Sequence, residues 1–207
     1  MDIREIPLIQ QSVFESTITS IDNFALVNEL NKFYSNPENS QNLADVRFPE
    51  AGPETLKLEN EISLRVNTVA QKQMICKQFW MLSMSSGGSV PQHNHKNNYQ
   101  LHPEEYYSVA YYPSAPEGGA NIHFYASYCN TMQKRIVVKS SVGKLVIFNS
   151  YLDHYTDRHW SDDPRICISA NYKPAEPDKT VVSDWSSFAQ PGYLNKAFLG
   201  TNINTER

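Results

Sequence analysis

Apolar residues are thinly scattered over the first third of the chain, with one patterned exception. Phe24, Val27, Leu30 and Phe33 recur every three residues behind Ser20 and Asp22, two side chains able to cap a helix, and so predict an amphipathic helix packed on one face of a sheet. From Ser35 to Gly52 the chain turns to Asn, Ser, Pro and Glu, the composition of a connection with little to bury. Beyond Lys72 short runs rich in Val, Ile, Tyr and Phe alternate with turn residues, and they predict strands at Met74 to Met84, Tyr106 to Tyr112, Asn121 to Tyr125, Arg135 to Lys139, Lys144 to Phe148 and Arg165 to Tyr172. Gly87-Gly88, Pro116 to Gly119, Val142-Gly143 and Ser161 to Pro164 punctuate them. Many short strands with few helices between them make the chain mainly β with flanking helices, an antiparallel sandwich or jelly roll.

The expected organisation is a single domain over residues 1–207. It has a helical and loop region over about 1–72, a jelly-roll core over about 73–175 and an extension over about 176–207, whose last residues, Asn202 to Arg207, are polar enough to fray. Hydrophobic residues make up 40% and charged residues 19%, enough apolar material for a core and too little charge for a disordered chain. Eighteen basic residues against twenty-two acidic ones give a net charge of -4, with no Lys/Arg cluster to neutralise a row of phosphates, so nucleic acid is not an expected partner. The first ten residues carry Asp2, Arg4 and Glu5 in place of a continuous apolar stretch, and no later run approaches membrane-spanning length. Cys76, Cys129 and Cys167 are odd in number and form no Cys-x-x-Cys pair, as expected of free thiols in a reducing, cytoplasmic compartment.

Histidine placement carries the candidate chemistry. In Gln92-His93-Asn94-His95 two imidazoles stand two residues apart, and on a strand such positions share a face, so one metal ion can bind both. His154 follows the apolar strand ending at Phe148. Two closely spaced ligands and one distant ligand are how a β-sandwich assembles a facial metal site with positions left open for substrate and oxygen. The same histidines would also serve as solvated loop residues, and Arg165 shifts the balance. Eleven residues after His154, it opens a segment whose alternation puts Arg165, Cys167, Ser169 and Asn171 on one face and Ile166, Ile168 and Ala170 on the other. A guanidinium aimed into a cavity is suited to bidentate capture of a carboxylate, and a solvent-facing row is the other reading of the same alternation.

Taken together these runs resemble the Fe(II)- and 2-oxoglutarate-dependent oxygenases, in particular a bacterial and phage branch with a His-x-His motif. Trp80, Gly87-Gly88 and His93-Asn94-His95 are similar to that branch's tryptophan, glycine and His-x-His run. Ser108 to Tyr112 resembles its Ser-Gly-Val-Tyr-Tyr strand, and Gly119 to Phe124 its glycine-led strand. Gly143 to Ser150 with Tyr151 to His154 resembles the segment that ends in the distal histidine, and Arg165 to Asn171 closes the series. The resemblance covers roughly residues 74 to 175. It implies a double-stranded β-helix of the cupin-like type, Fe(II) as metal, 2-oxoglutarate as cosubstrate and O2 as oxidant, with release of succinate and CO2 as an amino acid, a peptidyl side chain or another small metabolite is hydroxylated. It makes His93 and His154 the iron ligands, Arg165 the anchor of the cosubstrate's far carboxylate, and His95 an occupant of the place where most of the superfamily has an acid.

Three imidazoles in place of two and a carboxylate would leave the site one unit more positive, and zinc accepts such a set too. Cys167 stands where many relatives have serine, which passes the second cosubstrate contact to Ser169 or to a tyrosine. Of the adjacent Tyr111 and Tyr112 one must face the cavity, and Tyr111 is the candidate. Lys96 to Tyr107 is long for the connection it makes, as a substrate-facing loop would be. Asp153, beside His154, has the place of a group that orients an imidazole or of a solvated turn residue. His102, His123 and His159 are expected to be structural or superficial. A cupin-like three-histidine metalloenzyme that does not use 2-oxoglutarate is the second expectation, and a jelly-roll binding module without a catalytic metal the third.

Overall fold

The computed structural model describes residues 12–35, 52–95, 106–129 and 132–175. The extension beyond residue 175, the connection over 36–51, most of the stretch from Lys96 to Tyr107, and Tyr99 and His102 within it, lie outside the described residues.

Strand β1 (Val13–Thr17) leads into helix α1 (Asn23–Tyr34) and, after the undescribed connection, helix α2 (Pro53–Ala70). Seven strands follow: β2 (Met74–Met84), β3 (Tyr107–Ser114), β4 (Ile122–Cys129), β5 (Met132–Val138), β6 (Lys144–Asn149), β7 (Asp153–Thr156) and β8 (Arg165–Pro174). They form a five-stranded sheet in the order β1-β6-β3-β8-β2 and a three-stranded sheet in the order β5-β4-β7, with every pairing antiparallel. This is the jelly roll expected from the sequence. No described helix is long and apolar enough to cross a membrane.

Alternation along the central strands divides the core in two. Val109 and Tyr111 of β3, Leu145 and Ile147 of β6, and Ile168, Ala170 and Tyr172 of β8 pack against Leu26 and Leu30 of α1 and Leu58, Ile62 and Val66 of α2. The residues between them, Ala110 and Tyr112, Val146 and Phe148, and Cys167, face Ile122, Phe124 and Val138 of the smaller sheet. Buried on both faces, β3 and β6 read as nearly continuous apolar runs.

Helix α1 begins where the sequence places it, since the Asp22 side chain accepts from the backbone N–H groups of Phe24 and Ala25. Its buried stripe differs from the expected one. Leu26 and Leu30 are buried, whereas Phe24 is 79% exposed, because steps of three residues precess around a helix of 3.6 residues per turn. Helix α2 is an addition to the expected elements: Pro53 starts it and Thr55, Leu58, Ile62 and Val66 form its buried stripe at spacings of three and four.

Two local irregularities position the interior. At Gly143 the backbone takes a φ of 79° in the turn that starts β6, where an added Cβ would lie 2.9 Å from the Ile18 carbonyl oxygen. In β2 the pairing with β8 slips between Cys76 and Gln78, so that Lys77 is the extra residue of a bulge. Cys76 and Phe79 both face the helices, an odd spacing that only the bulge permits, and Gln78 and Trp80 thereby join the face of Asn171 and Ser169, their partners in β8.

Candidate metal centre and anion pocket

The three histidines singled out in the sequence meet at one point. His154 projects inward from β7 opposite Phe124 of β4, and Phe148 lies against its ring at 4.8 Å between centroids. His93 is not in a strand, as the spacing argument assumed, but forms an isolated bridge in which it and His154 exchange both backbone hydrogen bonds at 2.9 Å. The His95 N–H donates to the Ser150 carbonyl at 2.7 Å. Asp153 holds the intervening loop, accepting from Asn94 Nδ2 at 2.6 Å and from Gln92 Nε2 at 3.3 Å. It orients the backbone that carries the imidazoles; neither bond goes to an imidazole.

One ligand atom from each of His93, His95 and His154 lies within 4.8 Å of the others, and the Nε2 atoms of His93 and His95 are 3.3 Å apart. Metal–nitrogen bonds of about 2.0–2.1 Å put neighbouring ligand atoms roughly 3.0–3.4 Å apart, and the His93–His95 separation lies in that range. The opposite ring nitrogens are already engaged. Nδ1 of His93 lies 2.8 Å from the Pro91 carbonyl and Nδ1 of His154 2.9 Å from the Leu152 carbonyl. A carbonyl only accepts, so both Nδ1 atoms carry the proton and both Nε2 lone pairs face the common point. Burial pushes the His154 pKa down to about 3, with the backbone bond at Leu152 opposing it and His95 and His93 adding to it. It also lowers that of His95, against the hydrogen bond to Asn171. Three neutral imidazoles make a donor set that fits a metal cation.

Arg165 lies at the start of β8, buried to 1% exposure, with its guanidinium 4.7 Å over the Tyr112 ring. Its Nε donates to Ser140 Oγ at 3.2 Å, and Ser140 donates onward to the Ala120 carbonyl at 2.7 Å. No carboxylate among the described residues forms an ion pair with it. Tyr112 is fully buried, and its hydroxyl has no close, well-aligned hydrogen bond, with Ser140 and Arg165 as its polar neighbours. Burial pushes its pKa up, with Cys167 adding and Arg165 opposing. A buried guanidinium beside a tyrosine hydroxyl is a donor pair suited to an anion with two acceptor atoms.

Tyr111, the candidate from the sequence, has the opposite orientation. It packs among the helix-facing residues and donates to Asn23 Oδ1 at 2.7 Å, so Tyr112 is the tyrosine that faces the interior between the two sheets. Ser169 lies on the inward face of β8, with its Oγ 3.6 Å from Cys167 Sγ. His123 and His159 are buried: His123 Nε2 lies 2.5 Å from Asp157 Oδ1 while its Nδ1 accepts from Arg135, and His159 Nε2 donates to the Asp163 carbonyl at 2.8 Å. Cys76 and Cys167 are buried, and Cys76 Sγ donates to the Gln78 carbonyl at 3.3 Å. Ser140 carries no signal in the sequence that separates it from other serines, and Ser108 had only its place at the head of the Ser108 to Tyr112 strand. Asn171 had one, its place on the arginine's face of β8.

Residues 78–171, from β2 into β8 and including the three histidines and Arg165, match the family described as "Putative 2OG-Fe(II) oxygenase". None of the curated proteins compared matches the chain. Among solved structures, AviO1 from Streptomyces viridochromogenes Tue57 is similar at 12% identity, with a TM-score of 0.64 over 81% of this chain and 92% of that one. The epimerase SnoN in complex with Fe3+, alpha ketoglutarate and nogalamycin RO is similar at 11% identity, with a TM-score of 0.62 over 80% of each chain. The non-heme alpha ketoglutarate dependent carbocyclase SnoK from nogalamycin biosynthesis is similar at 11% identity, with a TM-score of 0.60 over 84% and 86%. The chain thus resembles the 2OG-Fe(II) oxygenases in its motifs and in the family match, and it shares the fold of these structures.

Proposed function

We propose that this chain is a cytoplasmic Fe(II)- and 2-oxoglutarate-dependent oxygenase that hydroxylates a small molecule or a peptidyl side chain. The observation that carries the reading is the pairing of two complementary features inside one fold: three imidazoles with ligand atoms within 4.8 Å of one another at one place, and a buried arginine with no carboxylate partner among the described residues at another. A dicarboxylate with a chelating 2-oxo acid at one end meets both. When bound, Fe(II) and 2-oxoglutarate supply the oxidising power that turns C–H into C–OH as the cosubstrate and O2 become succinate and CO2.

The chain's own residues do the positioning. His93, His95 and His154 hold the metal through Nε2, and the Pro91 and Leu152 carbonyls keep the first and third rings in the tautomer that permits it. Arg165 receives the far carboxylate, Tyr112 donates a further hydrogen bond to it, and Ser140 fixes the guanidinium plane through Nε. Phe124 and Phe148 cover His154 and keep water from its face. Ser169 lies on the same inward face of β8 and is a second candidate contact.

SnoN is described as an epimerase and SnoK as a carbocyclase, so the fate of the substrate needs its own test. Aerobic incubation with Fe(II) and 2-oxoglutarate is expected to yield succinate slowly in the wild type and none in His154→Ala. A hydroxylated product gains one oxygen atom that derives from 18O2. An unchanged or two-hydrogen-lighter product would replace hydroxylation by another outcome, and absence of succinate under all conditions favours the cupin-like three-histidine enzyme.

A further inference from the structure

The third imidazole is held differently from the other two. Main-chain carbonyls, which can only accept, fix the tautomers of His93 and His154. His95 Nδ1 instead faces a side-chain amide, Asn171 Oδ1 at 2.7 Å, with Ser108 Oγ at 3.0 Å. An amide has a donor end as well as an acceptor end, so this partner holds the tautomer only while its orientation is held.

A chain of hydrogen bonds sets that orientation. Asn171 Nδ2 donates to Gln78 Oε1 at 2.7 Å, which directs the amide oxygen towards His95. Ser108 Oγ also donates to Asn171 Oδ1 at 2.8 Å, and with its proton so committed it accepts from Ser150 Oγ at 2.8 Å. Gln78 reaches Asn171 because the bulge at Lys77 turns it onto the inward face. The competing state is close at hand. Were the amide reversed, His95 would carry its proton on Nε2 and donate it to the bare Nε2 of His93 at 3.3 Å, closing the metal position with an internal hydrogen bond.

Building on the oxygenase reading, we propose that Asn171, oriented by Gln78 and Ser108, is the positioning residue that makes His95 a metal ligand by holding its proton on Nδ1. Outer partners of this kind typically alter metal affinity by about 10–100-fold.

The test uses the whole chain with Co(II) or Ni(II) alone, together with long-range 1H–15N correlation of the imidazole nitrogens in the metal-free protein. In the wild type His95 is expected as the Nδ1–H tautomer. Asn171→Ala is expected to mix the tautomers and weaken metal binding about 10–100-fold, and Asn171→Asp, which keeps the acceptor, to retain both. In a His95→Ala background Asn171→Ala is expected to change metal affinity by less than about twofold, a non-additivity that general loosening of the fold would not produce. Gln78→Met, at the rim, keeps the test alive should Asn171→Ala fail to fold, and is expected to shift the tautomer in the same direction. An Nε2–H tautomer in the wild type, or an equal loss of affinity from Asn171→Ala with and without His95, overturns the proposal. Failure of the wild type to bind either metal would overturn the oxygenase reading, while the tautomer measurement still decides the role of Asn171.

Discussion

The two ends of the barrel interior are unsatisfied in opposite ways. At the histidine end the polar atoms that need partners have them: two Nδ1–H groups meet carbonyls, the third meets an amide, and only lone pairs remain. At the arginine end a full positive charge is buried with one neutral hydroxyl on its Nε and an aromatic face beneath it. The first end is preorganised to receive a cation at little structural cost. The second carries a desolvation penalty that no carboxylate among the described residues offsets. Two histidines of the smaller sheet make the same point. His123 and His154 are both buried, yet His123 has Asp157 at Nε2 and Arg135 at Nδ1, whereas His154 engages only Nδ1. Burial alone does not mark a ligand; an uncommitted lone pair does.

Separating the two ends by substitution gives the largest expected effect. His154→Ala is expected to weaken metal binding more than about 100-fold, while Arg165→Met leaves it within about threefold and weakens 2-oxoglutarate binding about 10–150-fold, the equivalent of one to two charge-assisted hydrogen bonds. Calorimetric titration with each ligand checks both, and equal effects of the two substitutions on metal binding would collapse the distinction.

Without ligands the sign reverses at the arginine end. Arg165→Met removes an uncompensated buried charge and is expected to raise the stability of the ligand-free protein by about 1–3 kcal/mol, as read by urea unfolding. Loss of stability would mean that Arg165 is held by more than Ser140 and Tyr112.

The histidine end responds to acid. The pKa of His154 is depressed in the folded, metal-free protein to about 3, so its contribution to stability is present above the unfolded value near 6.5 and is lost as pH falls from there towards 3. At pH 5 this amounts to about 2 kcal/mol relative to pH 7.5, and His154→Ala should flatten that part of the profile.

The smallest effect distinguishes the neighbouring tyrosines. Tyr112→Phe is expected to weaken 2-oxoglutarate about 5–10-fold and to change the stability of the ligand-free protein by less than about 1 kcal/mol, since its hydroxyl makes no close, well-aligned bond there. Tyr111→Phe should leave 2-oxoglutarate unchanged and cost about 1 kcal/mol of stability through the lost bond to Asn23.

Much of the barrel was legible because its strands announce themselves by composition: Met74 to Met84 is recovered with the same ends, and the Arg165 segment alternates as read. Strands β1 and β7 were not, since Val13–Thr17 is a half-polar edge and Asp153–Thr156 has only four residues and no apolar run. Helix α2 was legible in principle from Pro53 and the stripe Thr55, Leu58, Ile62, Val66, but its many charged residues dilute the pattern. The three histidines and Arg165 stood out in the sequence because their chemistry is distinctive at their spacing, and the structure brings the three histidines together. Which of Tyr111 and Tyr112 faces inward depended on register, and one residue of slip exchanges the faces. Asn171 was placed on the right face by the alternation of β8, but its link to Gln78 was beyond reach, because Gln78 joins it only through a bulge that nothing in the residue pattern foretells.

The most direct test of the central claim is an anaerobic titration of the metal-free protein with Fe(II) and then 2-oxoglutarate, following the charge-transfer absorption of the chelated cosubstrate. The band is expected in the wild type, at higher 2-oxoglutarate in Arg165→Ala, and not at all in His154→Ala. Iron binding without a band at any concentration of 2-oxoglutarate would contradict the account and leave a three-histidine metalloenzyme of another kind, and absence of metal binding would remove the catalytic assignment itself.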